Sequence, residues 1–394
     1  MGNSQKGKRN VLLVFLLIFM FILAISSTVL GVLIPKMQQN YTLTYVQIGY
    51  LSSVQNVGGF VVMLLGSVLS DRFPKLRLIA AFVSLYIGSI LCMSIMPPYW
   101  LMLLLFFMTG AMVNGLSTLV SAYISETCGK KSIVYLNLSH GFYGIGCLVG
   151  PLYATVLFSL NLHWTTLYLS LGIVCAVTLL FYAFLLFLTG TDMPTASTAQ
   201  EKVHDISLLK NRRLWSICIA CCIFMGQQTA FSTWITSYSL SSVTNQATLA
   251  NSVTSLYWLG IAVGRFLQSA WSKKIDPLRS VSAGCVISAL LITLGVFSKN
   301  IWVWMLLVAL SGICTGPVFP NLIGAGGRVA SAMTGTATFL ICLSGSIGGI
   351  IFPWVVAKLV AKSFEMGIMM APVGLIVTAV LLMGFLKTEK REEE

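Results

Sequence analysis

Polar side chains that interrupt long apolar segments are the residues of this sequence best suited to bind a ligand. The candidates for substrate binding are Gln55, Asn56, Asn114, Asn137, His140, Tyr143, Gln227, Gln228, Ser232, Trp234, Tyr257, Trp258 and Asn321. Amides and hydroxyls both donate and accept hydrogen bonds, and an aromatic ring can cover the apolar face of a ring-shaped solute. This combination suits a polyol or a sugar-like compound. The alternative is that each amide only bridges neighbouring helices.

Arg265 is the one cation placed well inside an apolar segment. Insertion scales give an arginine at the bilayer centre a cost of about 2.5–3.5 kcal/mol, so such residues usually have a role. Two roles stay open here: the guanidinium binds a substrate oxygen, or it bonds to carbonyl groups at a helix end. We expect the second, structural role.

Acidic residues are placed so that none of the eleven lies at mid-depth in an apolar segment. Glu126 falls at a cytoplasmic end and Glu365 on the outside, which puts a carboxylate-driven proton mechanism in doubt. Three options remain: facilitated diffusion, sodium coupling through neutral oxygens, or proton coupling through His140. The reference pKa of histidine, near 6.5, makes His140 the mid-depth group able to titrate.

Ten cysteines lie in or beside the apolar segments, where cysteine acts as a small apolar residue. Cys218 and Cys221 have the C-x-x-C spacing, but the segment lacks a second ligand pair. We therefore expect no metal site and no cofactor other than a coupling ion, either a proton or sodium.

The composition shows what kind of element must position these residues. Of 394 residues 57% are hydrophobic and only 9% are charged, with a mean hydropathy of +0.89. Because a soluble protein has about a quarter of its residues charged, this composition excludes a cytosolic enzyme and a nucleic-acid binder. The net charge of +13 does not indicate a nucleic-acid partner, since the charges lie between apolar blocks.

Twelve apolar segments are each long enough to cross a bilayer, which takes about 20 residues in a helix. The predicted spans are 11–34, 46–70, 77–96, 100–124, 133–158, 164–188, 214–238, 247–271, 279–298, 301–324, 331–357 and 366–386. The sequence therefore predicts an all-α polytopic membrane protein.

Basic residues fix the expected orientation, because the cytoplasmic side of a membrane retains them. With the N-terminus inside, most lysines and arginines fall in cytoplasmic loops, against four on the outside: Lys36, Lys299, Lys358 and Lys362. We expect both termini in the cytosol, and the bacterial inner (plasma) membrane as the location.

An internal repeat divides the chain into two halves. One offset of 202 residues superposes Trp100 on Trp302, Gly110 on Gly312 and, among other matches, Gly146 on Gly348. Duplicated halves with a substrate site between them are typical of secondary transporters. The sequence predicts a cytoplasmic N-terminus (1–10), a first six-helix bundle (11–188), a cytoplasmic linker (189–213), a second six-helix bundle (214–386) and a cytoplasmic tail (387–394).

The loop after the second span, residues 67–77, includes Ser70-Asp71-Arg72 and ends at Arg77. It resembles the glycine–aspartate–arginine signature of the major facilitator superfamily, although Ser67 and Pro74 stand where glycines are usual. The resemblance covers residues from about 10 to 390 and implies two pseudo-symmetric six-helix bundles. It also implies gating or structural charges, which we assign to Asp71, Arg72, Arg77, Glu126 and Arg265. A solvated charge run is the alternative for this loop.

A narrower resemblance is to the fucose–proton symporter family of sugar porters. It is carried by short segments: residues 140–146, Gly150-Pro151, 226–234, 264–266, 316–321, and Gly348-Gly349 with Pro353. The proton-coupled relatives use membrane carboxylates in the first and fourth helices. Those positions fall here on Gly31 and near Val113 or Asn114, and Gln228 stands where many relatives have glutamate.

The leading hypothesis is therefore a secondary-active or facilitative transporter that moves a small polar solute, sugar-like by resemblance, through alternating access. The runner-up is a drug or lipid-like efflux carrier of the same superfamily. An integral-membrane enzyme is a remote alternative, because no acid reaches His140 to orient it, and a non-transporting sensor is another. We expect a monomer in the lipid bilayer whose partner is a small-molecule substrate.

Overall fold

The computed structural model describes residues 3–73, 75–128, 132–189, 211–271, 277–330 and 334–393. Within these ranges the secondary structure is helical and no strand occurs. The helices are α1 (Asn3–Thr28), α2 (Leu30–Tyr41), α3 (Tyr45–Arg72), α4 (Lys75–Ser94), α5 (Tyr99–Thr127), α6 (Ser132–Ser159), α7 (Thr165–Thr189), α8 (Arg212–Ser242), α9 (Ala247–Trp271), α10 (Pro277–Ser298), α11 (Ile301–Thr315), α12 (Val318–Val329), α13 (Thr334–Val360) and α14 (Phe364–Glu393). The predicted all-α architecture is confirmed.

Fourteen helices arise from twelve predicted spans because two spans are interrupted. The first breaks at Val29, directly after Ser26, Ser27 and Thr28, whose hydroxyls all bond to carbonyl oxygens of the preceding turn. Such bonds compete with the helical ladder and often bend a helix. The tenth breaks at Gly316–Pro317, where proline has no N–H to continue the ladder.

Eleven spans of the described residues are long and apolar enough to cross a membrane, with 301–329 counted as one. The helix that does not reach this hydropathy is α9, which carries Asn251, Ser252, Thr254, Ser255 and Arg265. Its polarity is expected for a helix that faces other protein groups or water rather than lipid.

The chain forms two compact units. Unit 1 comprises Met1–Lys36 with Val54–Ala199, and unit 2 comprises Met37–Ser53 with Gln200–Glu394. In unit 1, α1 packs on α6, and α4 packs on α5 and α7. In unit 2, α8 packs on α13 and α14, while α9 and α10 both pack on α11.

The predicted linker 189–213 lies mainly outside the described residues, so the boundaries of the two halves stay a prediction. The first part of α3, up to Ser53, is grouped with unit 2, whereas the rest of α3 belongs to unit 1. This division within one helix is something that the repeat did not indicate.

Each unit contains a helix crossing that only glycine permits, and the two crossings are related by the offset of 202 residues. A Cβ atom added to Gly58 of α3 would overlap the carbonyl oxygen of Phe107 in α5. A Cβ added to Gly260 of α9 would overlap the carbonyl oxygen of Ala309 in α11. Small residues let helix backbones approach closely in this way.

The partner glycines of these crossings obey the same offset. A Cβ on Gly110 would overlap the carbonyl oxygen of Gln55, and one on Gly312 would overlap that of Tyr257. Equivalent residues thus make equivalent contacts inside each unit, which supports the repeat inferred from the sequence.

We expect Gly110→Ala to lower the unfolding temperature of the purified protein, because the added methyl must push α3 and α5 apart. Overpacking of this kind costs about 1–3 kcal/mol. The matched control is Gly88→Ala in α4, where an added Cβ meets nothing within 4 Å. There the helix propensity of alanine should leave stability unchanged or raise it by up to about 1 kcal/mol. Equal melting temperatures for the two variants would contradict the crossing.

Candidate functional site

Unit 1 places three of the candidate amides on the crossing of α3 and α5. The backbone of Gln55 contacts Gly110, and Asn56 follows it at half-buried depth. The side chain of Asn114 covers Gly59 and donates a hydrogen bond to the carbonyl oxygen of Gly110, with an N···O distance of 3.1 Å. One N–H of the Asn114 amide therefore bonds within the crossing, and the exposed part of the side chain is available for other contacts.

The candidate residues of α6 surround an open stretch of helix surface. His140 is exposed and Tyr143 is half-buried, and a Cβ added to Gly141 or Gly144 would meet nothing within 4 Å. Further along the same helix the space closes, because Gly146 lies against the backbone of Phe21. The side chain of Asn137 lies outside the described residues. The surface of α6 beside the imidazole ring of His140 is therefore open.

Unit 2 holds the remaining candidates, and a seam of polar side chains joins α8 to α9. The indole N–H of Trp258 donates to the hydroxyl of Ser232 at 3.2 Å. One turn away, the hydroxyls of Thr236 and Thr254 are 2.7 Å apart. Trp258 and Ser232 are half-buried, so an indole face and a hydroxyl lie together at the accessible end of this seam.

Gln228 and Tyr257 lie next to the seam and are more deeply enclosed. The residues are 7% and 1% exposed. The ring of Tyr257 packs edge-on against Phe231, with centroids 5.2 Å apart. Tyr257 is covered by protein on all sides, so its place among the substrate-binding candidates stays a prediction.

Gln227 and Trp234 are enclosed within unit 2. Gln227 is 2% exposed, its side chain packs against Gly374 of α14, and its Nε2 atom has no hydrogen-bond partner. Trp234 is 0% exposed and packs edge-on against Tyr45 at 5.8 Å. In this conformation the ring of Trp234 has no face open to a solute.

Arg265 and Asn321 both bind carbonyl oxygens at the break between α11 and α12. The Nε of Arg265 donates to the carbonyl oxygen of Gly316 at 3.2 Å, and the Nδ2 of Asn321 donates to that of Pro317 at 2.8 Å. A cation at the C-terminal end of a helix also interacts favourably with the helix dipole. Arg265 thus binds a carbonyl oxygen at a helix end, and its role stays a prediction.

The other predicted gating charges are described only in part. Arg77 is exposed near the start of α4. The side chains of Asp71, Arg72 and Glu126 lie outside the described residues, so their roles stay predictions.

Acidic groups are absent from the middle of every described helix. Glu365 lies in the first turn of α14, where its carboxylate is 2.9 Å from the Nζ of Lys299 and accepts a hydrogen bond from Ser363 at 2.7 Å. This pair is about half exposed, and it joins the start of α14 to the loop before α11.

Metal-binding clusters of three or more histidine, cysteine or acidic side chains are absent from the described part of the chain. The ten cysteines are free thiols, and six of those positions lie in unit 2. Cys221 contacts the Gly345 position of α13, which shows these thiols packing as small core residues.

Residues 16–353 match the family model described as Major Facilitator Superfamily. That range is most of the chain and includes the helices that carry every candidate residue. The chain belongs to the Major Facilitator Superfamily. It is a multi-pass membrane protein, as its apolar helices require.

Similar proteins in this superfamily include a relative from Bacillus subtilis, the glucose/mannose transporter GlcP. It is 21% identical to this chain over 383 residues, which cover 93% of this chain and 91% of the relative.

Solved structures of the superfamily share the fold. A bacterial homologue of the human lysosomal transporter Spinster, in an inward-facing and occupied conformation, matches with a TM-score of 0.75 at 13% identity and 97% coverage of both chains. The E. coli fucose:proton symporter FucP matches with a TM-score of 0.64 at 17% identity, covering 95% of this chain and 98% of that one. These similarities show that this chain has the same fold as the two solved structures.

The structure adds polar residues that the sequence did not single out. Ser52 and Thr233 lie 3.4 Å apart, hydroxyl to hydroxyl, and Ser288 and Ser311 lie 2.7 Å apart; all four are buried. Hydroxyl residues are common in membrane helices because they can bond to their own backbone. Because hydroxyl residues are so frequent, the sequence did not indicate that these four are special. Only the packing shows which of them meet.

We expect Arg265→Ala to fold, insert and purify as the native protein does, and to lose transport, because the helix break loses the cation that binds its carbonyl oxygen. Arg265→Lys is the control, since it keeps the charge and should retain part of the activity. Chromatographic behaviour and solute uptake in proteoliposomes measure the two properties separately. Native uptake by Arg265→Ala would exclude a mechanistic role for the contact.

Proposed function

We propose that this superfamily member carries a small neutral solute with several hydroxyl groups, most simply a hexose, across the membrane by alternating access. The observation that carries the proposal is the group formed by Gln228, Ser232 and Trp258. It presents an amide, a hydroxyl and an indole on adjoining helices. These are the group types that bind the polar edge and the apolar face of a sugar ring. The similarity to the glucose/mannose transporter of Bacillus subtilis supports the same substrate class.

The charge of the region supports a neutral substrate. Arg265 donates its Nε–H to a backbone carbonyl, and no acidic side chain lies in the middle of a described helix. An organic phosphate would require several cations around it. A neutral solute needs only donors and acceptors, which the candidate amides supply.

For the coupling, we propose that the carrier equilibrates its solute rather than concentrating it. The support is the lack of a mid-helix carboxylate among the described residues, since proton symport of the carboxylate type needs such a group. Among the described residues, His140 is the histidine that lies inside a predicted span. If transport were coupled to protons, His140 would be the residue that carries the coupling.

We further propose a monomer in the bacterial inner membrane, with both termini in the cytosol and with the halves 11–188 and 214–386 as the moving parts. The support is the bias of basic residues toward one side and the repeat of the glycine crossings. The proposed activity is transport and not an enzymatic reaction.

Uptake experiments in proteoliposomes test both the substrate class and the coupling. We expect D-glucose or D-mannose to raise the melting temperature of the purified protein and to drive counterflow of the labelled sugar. We expect no accumulation above the external concentration under a proton or a sodium gradient. Stabilisation by hydrophobic drugs and by no sugar would replace the proposal with the efflux carrier. Gradient-driven accumulation, if lost in His140→Gln, would assign proton coupling to that residue.

The open surface of α6 gives a second test. We expect Gly144→Leu to fold normally and to reduce uptake at least tenfold, because the leucine fills space beside His140 that the solute would occupy. The control is Gly88→Leu, which also enters open space but on α4, and it should transport normally. Native uptake by Gly144→Leu would place that face of α6 against lipid instead. Protein yield and melting temperature verify that both variants are folded.

A further inference from the structure

The first turns of α3, Tyr45–Ser53, lie against other helices of unit 2, and we call them the α3 segment. The ring of Tyr45 packs edge-on against Trp234 of α8, with centroids 5.8 Å apart. It packs in the same way against Phe364 of α14, with centroids 5.1 Å apart. Tyr45 therefore lies between two aromatic rings of unit 2 and covers Trp234, which is 0% exposed.

The same face of the α3 segment continues this contact further along the helix, because residues three or four positions apart share one side. A Cβ added to Gly49 would overlap the Cβ of Ala357 in α13 and would lie 3.0 Å from the carbonyl oxygen of Pro353. The hydroxyls of Ser52 and Thr233 are 3.4 Å apart. The segment thus occupies a surface made by α8, α13 and α14.

Two tryptophans of this surface have a buried indole N–H that finds no acceptor among the described residues. They are Trp234 and Trp354. Trp304, which is as deeply buried as Trp234, shows the normal arrangement, since its N–H donates to Ser239 at 2.8 Å. An indole N–H can only donate, and leaving such a group unpaired in the interior costs about 1–3 kcal/mol. Buried donors of this kind require an explanation.

The α3 segment covers both tryptophans without supplying a described acceptor to either N–H. Tyr45 lies against the ring of Trp234, and a Cβ added to Gly49 would lie 3.6 Å from the Cα of Trp354. The hydroxyl of Ser53, the last residue of the segment, has no partner among the described residues either. The contact is therefore complementary in shape, but it leaves hydrogen bonds unmade.

The place of the segment in the chain favours a contact that is broken during transport. The segment is grouped with unit 2, whereas α3 from Val54 onward belongs to unit 1. When the two proposed halves move, one straight helix cannot follow both. The segment is held by ring edges, a backbone approach and one hydroxyl pair, whose separation of 3.4 Å exceeds the usual range of about 2.5–3.0 Å. We expect the segment to leave this surface together with the rest of α3.

We propose that the surface under the α3 segment is a second binding site for the solute, in which the N–H groups of Trp234 and Trp354 donate to its hydroxyl oxygens. The inference rests on the proposed function, because its ligand is the same neutral solute with several hydroxyl groups. It goes further, since this site uses no residue of the group formed by Gln228, Ser232 and Trp258. In the proposed orientation the site opens to the outside, where α3 begins.

A polyhydroxylated ring suits this surface for two reasons. Each hydroxyl oxygen of the solute can accept a hydrogen bond, which is what the two indole N–H groups lack while the segment is in place. The apolar face of a sugar ring can also take the place of the Tyr45 ring against Trp234. The α3 segment and the solute therefore exclude each other, and the site exists only while the segment is released.

Labelling of a thiol introduced by Thr233→Cys tests the proposal in intact cells. Thr233 is 6% exposed and contacts Ser52, so a charged maleimide added outside reaches the thiol only after the segment has left. Native protein, with its ten cysteines, gives the background labelling. We expect labelling above this background, and D-glucose should slow it because the sugar occupies the same surface. Gly49→Ala should speed labelling without sugar, since the added methyl overlaps α13.

Two tryptophan variants, each combined with Thr233→Cys, decide whether the sugar binds at this surface. We expect Trp234→Phe and Trp354→Phe each to raise the D-glucose concentration that halves the labelling rate about fivefold, the effect of one lost hydrogen bond. Trp304→Phe is the matched control. It removes a buried indole whose N–H is already paired, so it should leave that concentration unchanged. Gln228→Leu alters the other site and should stop counterflow while D-glucose still protects the thiol.

The proposal is overturned if the maleimide does not label the Thr233→Cys protein above background, because the segment then stays in place. It is also overturned if both tryptophan variants keep the original half-protecting concentration of D-glucose. Loss of protection in Gln228→Leu would overturn it as well, since protection would then come from the other site. Trp354 is only half-buried, so Trp354→Phe decides alone if Trp234→Phe does not fold. Native protein without counterflow of D-glucose or D-mannose refutes the proposed function itself, which is a different outcome.

Discussion

The contact between Gly312 and the backbone of Tyr257 sets the distance between α9 and α11, and the polar groups of unit 2 depend on that distance. Lipid provides no hydrophobic force to hold two helices together, so close backbone packing has to do it. With any side chain at Gly312 the helices would separate by the width of a methyl group or more. The ring of Tyr257 and the seam that joins Trp258 to Ser232 would then lose their present positions.

A second constraint is that backbone groups at membrane depth need partners within the protein. Pro320 has no N–H to bond to the carbonyl oxygen of Gly316, and Arg265 binds that oxygen. The cost of placing a cation in a membrane helix is thereby offset by a bond that the interrupted helix requires. Arg265 and the glycine–proline pair are parts of one local arrangement.

The amino-acid sequence was sufficient to predict the spans and the repeat, because both depend on residue type along the chain. The spacing of about 20 apolar residues and the common offset of Gly110 and Gly312 are visible without coordinates. What could not be predicted is the direction of each side chain. Gln227 and Gln228 are neighbours, yet successive residues on a helix point about 100° apart, and it is Gln227 that packs on Gly374 of α14. Trp234 looked suitable for stacking on a solute, but tertiary packing encloses it.

The glycine crossings also bear on how the two halves diverged after duplication. A glycine contact is made by backbone atoms, so it does not depend on the type of the side chains next to it. Gln55 and Asn56 in one half correspond to Tyr257 and Trp258 in the other, at the same positions of the same crossing. Amides in one half and aromatic rings in the other could therefore replace each other in evolution without disturbing the scaffold. A backbone that is repeated in the two halves, with different side chains in each, can therefore bind a solute that has no symmetry.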